Sequence, residues 1–459
     1  MGPKSGVVCE LGAALAAADG APPSPIRLSP IGERIQAALE NGPAETIPHQ
    51  FSLTLGRIER LVINNIDPHD EGCAELAQAI RTAHNEVCAQ FYIFDSKSDA
   101  AHAILGALAE NQRRNPDLRL FLAINTVLSQ ADQAEAELRR FGLRADISVH
   151  AVLPTRGSLH SKVVILDGAQ AYVGGNNVDN PAEADATAIL RGSVVDNLLS
   201  EFDEAFLAGD IRSTGKVFHP ADLMRSHSNN PPNIDRAESH CLIHIVGKAA
   251  NRSLTPRLDA GSNRAFLEAI DAAQRVVKIM TPNFNELLVW DRLVRAANRG
   301  VTIHLLVPRD HLNLPSFVDI APNRSLGILL DRLTPAERRR IDVRWFSEPD
   351  GTPADNHAKI VIVDDAWVYI GSQNMDRQSW GYSRELGIGV DDAATARAVS
   401  AEVFDEAWAD GRSVRPGVLS HLLLRPTHNL LHRCGRYLFP PLAIAERVFD
   451  EVRRWRREN

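Results

Sequence analysis

The chain is sparing in the residues that staple or coordinate. Its 459 residues include 5 cysteines, Cys9, Cys73, Cys88, Cys241 and Cys434. They are scattered, odd in number and without a C-x-x-C pair. This excludes a disulfide framework and a thiolate metal site, and points to reduced, buried thiols. No His and carboxylate cluster has the spacing of a metal motif such as H-E-x-x-H, so neither metal nor cofactor is expected. No apolar run reaches ~18 residues, which excludes a spanning helix. The Ala-rich start "VVCELGAALAAADGA" is interrupted by Glu10 and preceded only by Lys4, so no cleaved signal is expected. Position 6 holds neither Ser nor Thr, and the myristoylation pattern fails. A basic face is also missing. The net charge is −8, and residues 412–459 carry ten arginines against four acids, so the body before them stands at −14. An acidic body argues against a general nucleic-acid binder.

What the chain does have is a sentence written twice. "HSKVVILDGAQAYVGGNN" begins at His160 and "HAKIVIVDDAWVYIGSQN" at His357, with 9 of 18 positions identical and no gap. His160 matches His357, Lys162 matches Lys359, and Asp167 matches Asp364. Tyr172 matches Tyr369, Gly174 matches Gly371, and Asn177 matches Asn374. Two copies 197 residues apart fit two similar domains rather than a solenoid.

The flanking patterns repeat as well. Helical spacing covers 72–85, 98–114 and 191–209 in the first copy, with strands over 87–94 and 118–124. The second copy reads as helices over 263–273, 287–300 and 394–411, with strands over 275–282 and 301–308. Near-continuous apolar strands alternating with helices predict an α/β fold with a mixed sheet in each half. The division expected is a loosely ordered leader (1–45) with one helix near 31–40, a first repeat (46–235), a second repeat (236–411) and a basic helical tail (412–459). Residues 217–238, polar and proline-paired, read as the linker.

Within each motif an apolar run ends at Asp167-Gly168 or Asp364-Asp365 and resumes shortly after, which predicts a strand, a tight turn and a returning strand. His160 and Lys162 lie two apart and share a face, as do His357 and Lys359. Each half thus presents an imidazole, an ammonium and a carboxamide. Ammonium and amide N–H groups suit phosphate oxygens. Two imidazoles supply a nucleophile and an acid. Neither copy carries both roles, so one active site needs both copies.

The doubled H-x-K-x4-D-x6-G-[GS]-x-N pattern resembles the paired signature of the phospholipase D superfamily, and "DRQSWGYSRELGIGV" (376–390) resembles the corresponding segment of cardiolipin synthases. The resemblance implies two similar lobes related by a pseudo-two-fold axis, one site between them, a phosphohistidine intermediate and no metal. It implies His160 as nucleophile and His357 as general acid, with Lys162, Lys359, Asn177 and Asn374 binding phosphate. It also implies an orienting carboxylate after each motif. The candidates are Asp185, with Glu183 as its rival, and Glu385. Asp167 and Asp364 read as structural. Gly175 and Ser372 occupy matched positions, where Ser372 would add a phosphate hydrogen bond.

The expected activity is a phospholipase D hydrolysing glycerophospholipids to phosphatidic acid, with a phosphatidyl transferase of cardiolipin-synthase type as the alternative and a nuclease as a third reading. The expected partners are a phospholipid and a membrane surface, with no nucleic acid, and the chain is expected to act as a monomer. Cytoplasmic or peripheral-membrane placement is expected, with export as an effector lacking a signal peptide a further option. Leu312, Leu314, Phe317, Val318 and Ile320 read as an acyl-chain entrance or a core helix. Residues 440–459, with Ile444, Val448, Val452 and Trp455 at helical spacing among arginines, read as a helix that docks on the body, meets a membrane, or both.

Overall fold

The computed structural model describes residues 8–9, 27–42, 53–64, 71–125, 131–150, 157–179, 184–215, 241–253, 255–309, 323 and 325–414. The first half contains β1 (Val8–Cys9), α1 (Pro30–Glu40), β2 (Thr54–Asn64), α2 (Glu71–Thr82), β3 (Glu86–Gln90), α3 (Asp99–Arg114), β4 (Arg119–Asn125) and α4 (Ala131–Arg140). It continues with β5 (Asp146–His150), β6 (Val163–Leu166), β7 (Gln170–Gly174), β8 (Asp185–Gly192), α5 (Val194–Leu207) and β9 (Asp210–Ser213). The second half contains β10 (Cys241–Lys248), α6 (Gly261–Ala272), β11 (Val276–Met280), α7 (Leu287–Asn298), β12 (Thr302–Val307), α8 (Ser325–Asp331), α9 (Pro335–Arg338) and β13 (Ile341–Trp345). Then follow β14 (Ile360–Val363), β15 (Trp367–Gly371), α10 (Arg377–Gly381), β16 (Glu385–Asp391), α11 (Ala393–Val399), α12 (Asp405–Asp410) and β17 (Arg412–Ser413).

The two halves share one topology. β3, β4 and β5 run parallel, β6 joins β3 antiparallel, and β6, β7, β8 and β2 form an antiparallel series. β11, β12 and β13, then β14, β15, β16 and β10, repeat this order. The sheets meet where β10 pairs antiparallel with β2, Cys241 opposite Gly56. This is the mixed α/β fold with two similar lobes that the alternation of elements predicts.

Strand alternation sorts the core. Val163 and Ile165 of β6, with Ile360 and Ile362 of β14, enter a central core shared by the lobes and capped by α5 and α11. Val164 and Leu166 face an outer core under α2 and α3, and Val361 and Val363 face its counterpart under α6 and α7. Burial on both faces explains why these strands are apolar at every position.

The helix expected near 31–40 is α1. Ser29 caps α1, donates to Asp391, and sends Ile31, Ile35 and Leu39 into the outer core of the second lobe. Two other expectations need correction. The closing helix over 394–411 is not one α-helix. A π-helical turn at Ser400–Phe404 separates α11 from α12, where buried Lys278 donates to Ser400 and Asp405. The first lobe's closing helix starts at Val194, because β8 runs on through Gly192. The sequence reading also passed over β2, β10 and the α4–β5 pair. The linker, the residues of the expected acyl entrance and the tail beyond residue 414 lie outside the described residues.

Candidate active site

Each motif strand is held by the opposite lobe. The N–H of His160 donates to the carbonyl of Arg384 at 3.0 Å, and that of His357 donates to the carbonyl of Ala184 at 2.7 Å. The side chains repeat this exchange. His160 Nδ1 lies 3.0 Å from Glu385 Oε2, and His357 Nδ1 lies 2.7 Å from Asp185 Oδ2. Each imidazole therefore takes its carboxylate from the other repeat. Glu183 lies outside the described residues.

All four groups are buried. Burial pushes the His160 imidazole down to about 4, against the upward pull of Glu385, with Lys162 and Lys359 adding to the depression. Burial alone would raise Glu385, but His160, Lys162 and a hydrogen bond from Ser372 hold it below its usual range. At neutral pH this leaves a neutral imidazole donating Nδ1–H to an ionised carboxylate, with the lone pair on Nε2. A carboxylate partner fixes that tautomer.

The lysines fold back on the same strands. Lys162 Nζ donates to the His160 carbonyl at 2.7 Å, and Lys359 Nζ donates to the His357 carbonyl. Burial, with Lys359 nearby, pushes Lys162 down to about 7. An incoming phosphate would restore its charge. Asn177 follows the end of β7, its Oδ1 accepting the Ile93 N–H at 3.2 Å, so its amide N–H groups remain as donors. Asn374 gives one N–H to Asp376 at 3.1 Å.

Asp167 and Asp364 build the scaffold. Both have φ of 55°, followed by Gly168 at 63° and Asp365 at 51°, the positive-φ pair of a type I′ turn. The Asp167 carboxylate accepts the N–H groups of His84, Asn85 and Glu86 at 2.6–3.0 Å, and Asp364 accepts those of Gln274, Arg275 and Val276 at 2.7–2.8 Å. Each carboxylate thus fixes the entry of a neighbouring strand.

Ser372 departs from expectation. Its hydroxyl donates to Glu385 Oε2 at 2.5 Å and accepts the Leu386 N–H at 3.0 Å, fully buried. It serves the carboxylate instead of reaching for a phosphate. Gly175 stands at the matched position. A Cβ there would strike the Asp185 carboxylate, so glycine makes room for the shorter acid.

Two features escaped the sequence reading. The Tyr92 ring meets His160 edge-on at 4.6 Å between centroids, with Lys162 Nζ 5.1 Å from the Tyr92 ring. Arg384 makes a buried ion pair with Glu201 at 2.8 Å across the lobes, beside Glu385. The stretch "VCAQFYIF" reads only as a strand, so nothing in it marks Tyr92. Arg384 was visible only as the neighbour of Glu385.

Among the described residues no group of three or more His, Cys, Asp or Glu is placed to hold a metal ion, and no helix is long and apolar enough to cross a membrane. The geometry defines a two-lobed site with two carboxylate-backed imidazoles and two buried ammoniums. That is chemistry suited to a tetrahedral phosphorus.

The family described as cardiolipin synthase, PLD-like domain, matches residues 76–206 and 266–408, together more than half of the chain. The chain belongs to this phospholipase D-like family. A probable cardiolipin synthase, YwiE, of Bacillus subtilis is 25% identical over 361 residues, covering 76% of this chain and 66% of that protein. Cardiolipin synthase A of Pseudomonas fluorescens is 26% identical over 377 residues, covering 77% of this chain and 70% of that protein. The crystal structure of a phosphatidylserine synthase from Haemophilus influenzae superposes with a TM-score of 0.62 at 14% identity, over 89% of this chain and 98% of that one. It shares the fold. The chain thus spans about two thirds of the length of its curated relatives.

Proposed function

We propose that the chain is a phosphatidyl transferase of cardiolipin-synthase type. His160 Nε2 attacks the phosphorus of a phospholipid, and His357 protonates the departing alcohol. The phosphatidyl group then sits on His160. His357, now neutral, takes the proton from the hydroxyl of a second lipid, whose oxygen attacks the same phosphorus and frees His160. The two lysines and the two asparagines bind the non-bridging oxygens throughout. With phosphatidylglycerol as both donor and acceptor, the products are cardiolipin and glycerol.

The observation that supports this reading is the pair of crossed bonds, His160 to Glu385 and His357 to Asp185, which backs two imidazoles inside one chain. A monomer suffices on this arrangement. Both imidazoles are equally buried, so the choice of His160 as nucleophile rests on its likeness to the first-motif histidine of the family. The preference between transfer and hydrolysis reverses the sequence reading, which placed hydrolysis first. The names of the relatives favour transfer. They lend no support to an exported effector. Membrane contact follows only from the lipid substrate.

The test is to incubate the purified chain with phosphatidylglycerol vesicles and, separately, with plasmid DNA, and to identify products by mass spectrometry. Cardiolipin with equimolar glycerol is expected. Phosphatidic acid as the sole lipid product would return the chain to the hydrolases, and DNA cleavage without lipid turnover would make it a nuclease.

A further inference from the structure

The two lobes differ beside their catalytic lysines. In the first lobe a narrow crevice opens next to Lys162 and Asn177, walled by Val62, Leu76, Phe91, Ile104 and Tyr172. Its lining is mostly apolar, with Lys162, Asn176, Asn177 and Thr187 among the polar groups.

In the second lobe the equivalent space is filled. Counting back from the matched N–H groups that Asp167 and Asp364 accept, Leu76 corresponds to Phe266 and Cys73 to Asn263. Phe266 packs against Tyr369 at 4.7 Å and Trp380 at 6.1 Å, and Trp380 is fully buried. Three bonds lock the plug. The Trp380 carbonyl accepts from Lys248 Nζ at 2.6 Å and from Asn263 at 2.9 Å, and Gln373 donates to Asn263 at 2.7 Å. The first lobe has no such plug in its sequence. From Asn374 to Glu385 is 11 residues, from Asn177 to Asp185 is 8, and Val178–Ala184 contains no aromatic residue.

We propose that this crevice seats one acyl chain of the lipid whose phosphate is held at Lys162 and Asn177. The proposal rests on the phosphatidyl-transfer reading and extends it. The continuity of an apolar channel with a buried ammonium matches a molecule that joins a hydrocarbon chain to a phosphate. A single chain-binding slot on one side of a pseudo-symmetric site also distinguishes the donor lipid from the acceptor.

The test measures glycerol release from phosphatidylglycerols with acyl chains of four, six and eight carbons, each presented as monomers below its micelle threshold. Full burial of a methylene corresponds to roughly a fourfold gain. The expected result is a rise in kcat/KM of at least about tenfold from four to eight carbons, allowing for partial burial. Leu76→Trp, which imitates the plug, should flatten that dependence. A second measurement does not depend on refolding. In a Cys9→Ser, Cys434→Ser background the part-exposed Cys73 thiol is treated with decyl methanethiosulfonate, forming a mixed disulfide with release of methanesulfinate. Cys88 and Cys241 are buried. The attached decyl chain should abolish the chain-length dependence, dithiothreitol should restore it, and dioctanoyl phosphatidylglycerol should slow the labelling. A chain-length dependence unchanged by both Leu76→Trp and the decyl adduct would overturn the acyl site. Turnover of bis(p-nitrophenyl) phosphate with no turnover of any phosphatidylglycerol would instead overturn the phosphatidyl-transfer reading, and the acyl site with it.

Discussion

Replacing Glu385 by Gln removes a charge and little else. An amide fills the same volume, and its oxygen can still accept Nδ1–H from His160, so the tautomer survives. What is lost is the anion beside an imidazole that becomes cationic when Nε2 bonds to phosphorus. The hydrogen-bonded atoms are 3.0 Å apart. Charge centres about 4 Å apart at an effective dielectric near 20 interact by about 4 kcal/mol. That corresponds to roughly a thousandfold in the rate of forming the covalent intermediate. Rapid-quench measurement of phosphatidyl-enzyme formation from labelled phosphatidylglycerol reads this step directly. The pH profile gives a second reading. Glu385 raises the His160 pKa, so the substitution lowers it further and moves the acid limb of kcat/KM below its position near pH 4. A loss under about tenfold, or an acid limb that moves upward, would refute the charge assigned to this pair. Asp185→Asn should act through the acid, slowing departure of a poor alcohol more than of p-nitrophenol.

Other outcomes follow from the same geometry. His160→Ala should abolish the acid-labile label on the protein, whereas His357→Ala should slow its discharge, each costing on the order of a thousandfold in turnover; label trapped on His357 would exchange the roles. Lys162, held at about 7, should lose its proton as pH rises through neutrality in the free enzyme, so kcat/KM falls on the alkaline side; Lys162→Arg, which does not titrate there, should push that limb upward. Chelators should leave turnover intact, since the lysines carry the charge that neutralises phosphate; loss in EDTA restored only by a divalent cation would contradict this. A fragment ending near residue 235 should be inactive as a monomer even if folded, because Glu385 is missing from it.

The parts legible in the sequence were those governed by local rules. The 98–114 helix, found at Asp99–Arg114 with Ser98 as its N-cap, follows from apolar spacing and a capping serine. The motif residues were legible because duplication exposes them. The two carboxylates were named through the family resemblance, but which imidazole each one serves was not legible. The crossed carboxylates are 225 and 172 residues from their histidines, and no periodicity reports that distance. The same limit hid the destination of α1, whose amphipathic face was visible but not its docking on the second lobe. Ser372 was misread because its hydroxyl serves either an incoming phosphate or a neighbouring carboxylate. Only the fold shows that Glu385 occupies the place.

The exchange of carboxylates also has a consequence for biosynthesis. Ribosomes deliver roughly 5–20 residues per second. His160 is therefore made tens of seconds before Glu385, which the sequence places 225 residues later. Through that interval a nascent first lobe, however well folded, has His160 without its carboxylate and Lys162 without the opposite lobe. On the proposed mechanism the site is complete only when β16, which carries Glu385, pairs with β10. A chain truncated before that strand would then be inert, so the crossed pairs tie activity to the synthesis of both repeats.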